Sequence, residues 1–112
     1  MDYLERLRKL CLAYDGVYED FPWSHETPVF KNAKGKIFAM SGVEGRTLRV
    51  TVKLTPDEGA EAMMLPFVEK AAYVGRFGWV SVTVAGESEW EIAEPWVRRS
   101  YELVAGKAKE RR

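Results

Sequence analysis

The stretch TLRVTVKL, residues 47–54, decides the fold. Its even-numbered residues are aliphatic and its odd-numbered residues are polar or charged. Successive side chains of a β-strand point to opposite faces of the sheet, so this run predicts a strand with one face in a hydrophobic core and the other towards water. The stretch WVSVTV, residues 79–84, repeats the pattern, with its valines predicted inward and Trp79, Ser81 and Thr83 outward.

Two shorter β-prone runs, residues 29–31 and 36–41, precede this strand. Glycines and an asparagine in residues 32–35 and 42–45 supply the positive φ of tight turns, so the sequence predicts three consecutive strands joined by two hairpins. Residues 17–28 contain two prolines and no periodicity, which predicts a loop. Residues 67–78 are predicted to be irregular.

Helical spacing and capping signals predict three helices. Apolar residues three and four apart indicate a helix over about residues 3–14. The capping box Thr55-Pro-Asp-Glu58 predicts a second helix, which Pro66 ends. A further capping box, Ser88-Glu-Trp-Glu91, is predicted to open a C-terminal helix that reaches about residue 108 and that Pro95 kinks or restarts.

The length of 112 residues is enough for one core and too little for two, so we predict a single domain over residues 1–112. The predicted fold class is α+β, an antiparallel sheet flanked by N- and C-terminal helices in the order α-β-β-β-α-β-α. No apolar run approaches the roughly 18 to 20 residues that span a bilayer, and the first ten residues lack the apolar core of a secretory signal. We therefore expect a cytoplasmic protein without a membrane role.

The charge balance and the scarcity of Cys and His exclude several classes of function. The 17 basic residues match the 17 acidic ones, so any binding to nucleic acid has to come from a local patch. Cys11 is the single cysteine, which excludes an internal disulfide and a Cys/His zinc cluster.

The lone His25 lies near Glu19, Asp20 and Glu26, a set that could in principle hold a divalent ion but is far more often solvated loop charge. No nucleophile elbow or glycine-rich phosphate loop is present in the sequence. We expect no catalytic residues, no metal, no cofactor and no enzymatic activity.

Four motifs follow one another in an order that resembles the MmcQ/YjbR family: VFK at 29–31, GKIFA at 35–39, WVSVTV at 79–84, and SYELV at 100–104 followed by lysines. The resemblance covers nearly the whole chain and rests on the order and spacing of the motifs. It implies a frataxin-like (CyaY-like) fold and DNA binding through a double wing of β-hairpins, here the turns at 32–35 and 42–45. Family members commonly carry a Lys and a His or Asn before the position of Trp79, where this chain has Arg76-Phe-Gly78.

Two functions remain open. The first is DNA binding by the outer face of the sheet and the hairpins, with basic side chains on phosphates and Trp79 or Phe77 on a base. The predicted nucleic-acid-binding residues are Lys31, Lys34, Lys36, Arg46, Arg49, Lys53, Arg76 and Trp79. Strand alternation places only Arg49, Lys53 and Trp79 on one face, and exposed strand charges often serve solubility alone.

The second function is a protein-interaction or self-association module that uses a sheet edge or face and has no role with nucleic acid. Binding to phosphates weakens steeply as salt rises, whereas apolar association does not, so salt dependence separates the two functions.

Overall fold

A computed structural model describes residues 2–22, 27–71 and 78–105. Within these residues the chain forms three helices and six strands. The elements in chain order are α1 (Tyr3–Leu12), β1 (Tyr18–Asp20), β2 (Val29–Lys31), β3 (Ile37–Glu44), β4 (Thr47–Lys53), α2 (Pro56–Ala62), β5 (Val68–Lys70), β6 (Trp79–Val84) and α3 (Glu87–Ala105).

The strands form one antiparallel sheet in the order β1-β2-β3-β4-β6-β5. Buried side chains of the helices, among them Leu7 of α1, Ala62 of α2 and Val97 of α3, join the buried residues of the strands in a single core cluster. The α+β class and the flanking helices are therefore confirmed.

The alternation predicted for residues 47–54 and 79–84 is confirmed on the inner face. Val50 and Val52 of β4 and Val82 of β6 have no solvent exposure, whereas Arg49 is exposed. On the outer face Ser81 is only 4% exposed, and its hydroxyl lies 2.8 Å from that of Thr51 on the neighbouring strand. A cross-strand pair of small polar side chains thus occupies the middle of the outer face.

The predicted element order is wrong at both edges of the sheet, because it lacks β1 and β5. Residues 18–20 were predicted as loop and residues 68–70 as irregular, but each forms a three-residue strand. Both strands lie at the ends of the strand order and pair with one neighbour. Three residues are too few for a periodic pattern, so the neighbouring strand decides their conformation.

The second hairpin turn is also displaced from its predicted position. β3 continues to Glu44, which pairs with Thr47, so the turn consists of Gly45 and Arg46 and not of residues 42–45. Near its start β3 shifts register against β2, and the consecutive residues Phe38 and Ala39 are both fully buried. Such an irregularity lets two neighbouring side chains enter one core.

α3 begins one residue before the predicted capping box. The carboxylate of Glu89 accepts a hydrogen bond from the amide of Ala85 at 3.2 Å, so Glu89 takes the role that was assigned to Glu91. The helix runs without interruption from Glu87 to Ala105 with Pro95 inside it. No helix among the described residues combines the length and the apolar character needed to cross a membrane.

Candidate functional site

A groove with a volume of about 730 Å³ lies at one end of the sheet. It is formed where the β2–β3 turn, the end of β4, the start of β6 and the last turns of α3 meet. We call it the lysine groove, because its described lining contains Lys34, Lys36 and Lys53 and no carboxylate. Trp79 and Tyr101 supply aromatic surface in the same lining.

The side chain of Asn32 builds the turn that presents two of these lysines. Its Oδ1 atom accepts hydrogen bonds from the backbone amides of Lys34 and Lys36, both at 3.0 Å, and the residue is 5% exposed. The amide of Gly35 donates to the carbonyl of Asn32 at 2.8 Å, and Gly35 has a φ of 84°. The turn is thereby fixed from inside, while the Lys34 and Lys36 side chains project into water.

α3 fixes the opposite wall of the lysine groove through Ser100. The buried hydroxyl of Ser100 donates to the carbonyl of Phe38 at 2.6 Å and accepts from the amide of Lys53 at 2.8 Å. The next residue, Tyr101, stacks on Tyr14 with ring centroids 3.9 Å apart. These contacts tie the helix to the ends of β3 and β4, next to Lys53.

Trp79 lies directly opposite Lys53 in the register of β4 and β6 and is half-buried. Directly opposed side chains on antiparallel strands have Cβ atoms roughly 4.5 to 5.5 Å apart. The Lys53 and Trp79 side chains therefore start from neighbouring positions on the same face of the sheet, at the rim of the lysine groove. This pair confirms the part of the strand pattern that placed Lys53 and Trp79 on one face.

Two of the predicted basic residues are held by carboxylates. Lys31 contacts Asp20 of the edge strand with its Nζ atom 2.6 Å from a carboxylate oxygen. This hydrogen bond raises the pKa of Lys31 and lowers the pKa of Asp20. Arg49 reaches across β6 to Glu69 of β5, at 2.7 Å.

Arg46 lies in the Gly45–Arg46 turn, at the other end of the sheet from the Lys34–Lys36 turn. The eight residues of β3 separate the two turns, which corresponds to roughly 25 Å. A second cleft, of about 630 Å³, borders Arg46, but Asp2 lines it as well, so its charge is mixed. The two predicted wings therefore do not form one basic surface, and Arg76 and Phe77 lie outside the described residues.

Ser100 and Tyr101 are parts of the site that the sequence reading missed. Ser100 falls among apolar residues at helical spacing, and a serine on the buried face of an amphipathic helix was the available signal. Its two backbone partners could not be predicted, because they depend on how α3 packs against the ends of β3 and β4.

The loop carboxylates considered for metal binding have other partners. Glu19 accepts a hydrogen bond from Arg8 at 2.6 Å, and Asp20 pairs with Lys31. Among the described residues no group of three His, Cys, Asp or Glu side chains is placed to hold a metal ion, and His25 and Glu26 lie outside them. Burial raises the pKa of the Cys11 thiol far above its usual range, which fits an unreactive core residue.

A model of the YjbR family matches residues 12–103 of the chain. The chain is also similar to the crystal structure of a Deinococcus radiodurans protein with the family-model domain DUF419, with a TM-score of 0.82 and 28% identity over 94% of this chain and 80% of that one. A Pseudomonas syringae protein shares the fold, with a TM-score of 0.69 and 18% identity over 93% of this chain and 99% of that one. Among curated proteins none was found to be similar to the sequence.

Proposed function

The chain belongs to the YjbR family, and we propose that it is a DNA-binding module that contacts phosphates through the lysine groove. The proposal rests on the three lysines of the groove and on the lack of a carboxylate in its described lining. Ammonium groups that no nearby carboxylate neutralises attract the phosphates of a nucleic acid. The chain has a net charge of zero. The three lysines nevertheless concentrate positive charge at the groove, and a phosphate responds to this local charge.

The fixed backbone around the groove favours binding. Asn32 holds the Lys34–Lys36 turn and Ser100 holds the amide of Lys53, so little of the backbone has to become ordered when a ligand arrives. Three phosphate contacts predict a slope of log affinity against log salt of about −3 for duplex DNA. Such binding is weak at physiological salt and is best measured at low salt.

The test is the anisotropy of a labelled DNA oligonucleotide titrated with protein at several salt concentrations. We expect the variant Lys34→Ala/Lys36→Ala to bind at least tenfold more weakly at low salt and to lose about two units of salt slope. The matched control is Lys9→Ala/Arg46→Ala, which removes the same charge from exposed positions on α1 and at the far turn. We expect the control to keep its affinity within about threefold.

Equal losses in both double variants would mean that affinity follows net charge and not the groove. Unchanged binding in the Lys34→Ala/Lys36→Ala variant would remove the lysine groove from consideration.

A protein-interaction module is the second candidate, and exposed methionines favour it. Met64 is 83% exposed and follows α2, near a cleft whose lining combines the apolar Leu54, Leu65 and Trp96 with charged side chains of α2 and α3. Pairing through a sheet edge has weaker support, because β1 and β5 have three residues each and β5 carries exposed Glu69 and Lys70. Analytical ultracentrifugation tests this candidate. A sedimentation coefficient that rises with protein concentration, even at high salt, would indicate self-association, and loss of that rise in Met64→Lys would support this candidate.

A further inference from the structure

We infer that the lysine groove takes an unpaired DNA strand, with a base seated against Trp79, in preference to duplex DNA. This inference rests on the proposed function and names the form of its ligand. It follows from the apolar part of the groove, which phosphate binding alone leaves without a role.

Apolar side chains make up about half of the groove surface and lie among the lysines. Ile37, Val104 and the aromatic residues Trp79 and Tyr101 line the groove together with the three lysines. A surface that meets only phosphates needs donors and positive charge, and burying apolar walls against a charged backbone gains little. The ligand that matches this lining carries an anionic part and a flat apolar part next to each other.

An unpaired nucleotide has both parts, whereas a base pair in a duplex keeps its flat faces inside the stack. In single strands the base faces are available to aromatic side chains, and proteins that bind single strands combine a basic groove with such stacking platforms. A duplex would have to unstack a base to reach Trp79, at a cost of a few kcal/mol.

The register of β4 and β6 supplies the required spacing. Lys53 and Trp79 are direct cross-strand partners at the rim of the groove. A phosphate on Lys53 therefore leaves the adjoining base within reach of the indole ring. Gly78, with a φ of 97°, sets the backbone immediately before Trp79.

The wall behind this pair is rigid. Tyr101 is held by the stack on Tyr14 and by an edge contact with Phe38 at 5.0 Å. The amide of Lys53 is held by the buried hydroxyl of Ser100. A preformed wall favours a ligand that inserts a flat group over one that must reshape the protein.

The test compares three DNA probes of about eight residues on the unaltered protein at low salt: an oligothymidine, the same backbone without bases, and a duplex of equal length. All three carry phosphates, and only the first offers accessible base faces. We expect the oligothymidine to bind about tenfold more tightly than the abasic strand and more tightly than the duplex.

Trp79→Ala should lower the affinity for the oligothymidine to that for the abasic strand. Trp96→Phe changes the cleft beside α2, away from the lysine groove, and should leave the difference in affinity between the two probes intact. Trp79→Leu serves as a second variant if Trp79→Ala does not fold. Comparison of the probes on the unaltered protein is independent of any variant.

Equal affinity for the oligothymidine and the abasic strand, or a preference for the duplex, would overturn this inference. The proposed function would survive that result if affinity still fell in Lys34→Ala/Lys36→Ala. Failure of all three probes to bind would instead overturn the proposed function itself.

Discussion

The backbone of Gly78 lies directly against the backbone of Leu54, at the point where β4 ends and β6 begins. The Gly78 carbonyl accepts a hydrogen bond from the Leu54 amide at 3.1 Å. Gly78 has a φ of 97°, and a Cβ atom built on it would overlap the carbonyl oxygen of Leu54. Only glycine fits both the conformation and the space, and the fit sets the position of the adjacent Trp79.

We therefore expect Gly78→Ala to lower the free energy of unfolding by more than about 3 kcal/mol, because strain from positive φ adds to a backbone overlap. Gly45→Ala is the matched control: Gly45 also has a positive φ, of 63°, but nothing lies within 4 Å of its added Cβ. Its expected cost is about 1 to 2 kcal/mol. Urea denaturation of both variants measures the difference, and equal costs would contradict the close approach.

Ser100→Ala should destabilise the protein by about 2 to 4 kcal/mol, because the Phe38 carbonyl and the Lys53 amide both lose their buried partner. The midpoint of urea denaturation measures the loss. Ser88→Ala, an exposed position in the first turn of the same helix, should change stability by less than about 0.5 kcal/mol. A loss of stability in Ser100→Ala no larger than in Ser88→Ala would show that the two hydrogen bonds of the Ser100 hydroxyl contribute nothing to stability.

Glu58 should make stability depend on acid pH. Burial acts to raise the pKa of the Glu58 carboxyl, but hydrogen bonds from Arg99 and from the amide of Thr55 outweigh it, so its pKa lies below the ordinary 4.5. A carboxylate with a lowered folded pKa adds stability above its unfolded pKa and loses it as the pH falls through the folded pKa.

Glu58→Gln should thus cost less than about 1 kcal/mol at neutral pH, since the Glu58 side chain is 38% exposed and solvent screens the pair. The difference in stability between Glu58→Gln and the unaltered protein should vanish in acid, below the folded pKa of Glu58. Thermal unfolding from neutral pH down to such acid conditions measures this difference, with Glu61→Gln on the same helix as control. A difference that stays constant with pH would contradict the ion pair.

Arg49 and Lys53 lie on the same face of β4, but only Lys53 should matter for DNA. Arg49 pairs with Glu69, so Arg49→Ala also releases a carboxylate, and four residues of strand, roughly 13 Å, separate it from Lys53. This distance exceeds the Debye length of about 10 Å at 0.1 M salt. At that salt we expect Lys53→Ala to weaken binding several-fold and Arg49→Ala less than twofold, by anisotropy. The reverse order would shift the site to the middle of the outer face.

The sequence predicted the parts of the fold that repeat a pattern. The alternation in residues 47–54 and 79–84 identified the inner face, and the capping box at Thr55 gave the start of α2, where both reciprocal hydrogen bonds are present. The edge strands were missed because three residues carry no periodicity. The start of α3 was misplaced because two glutamates, Glu89 and Glu91, offered similar capping signals.

Only part of the candidate site could be predicted, because the sequence pattern assigns residues to a face of the sheet but does not show which strands pair or in which register. Turn chemistry placed Lys34 and Lys36 in one hairpin, and strand alternation placed Lys53 and Trp79 on one face; the register of β4 and β6 then makes them direct neighbours. The sequence could not show which basic residues pair with carboxylates. Arg49 pairs with Glu69, which lies two strands away in the sheet, and Lys31 pairs with Asp20, which lies in an edge strand that was not predicted. DNA binding, the frataxin-like likeness, the single-domain organisation and the lack of enzymatic activity remain predictions.

The most direct test is an amide and indole NMR titration of the protein with the oligothymidine at low salt. We predict saturable shifts at Lys34, Lys36 and Lys53, at the indole of Trp79, and in the last turn of α3 that lines the groove. The far turn at Gly45 and Arg46 should keep its shifts. Shifts confined to that turn or to the edge strands, or no saturable shift at all, would contradict DNA binding in the lysine groove.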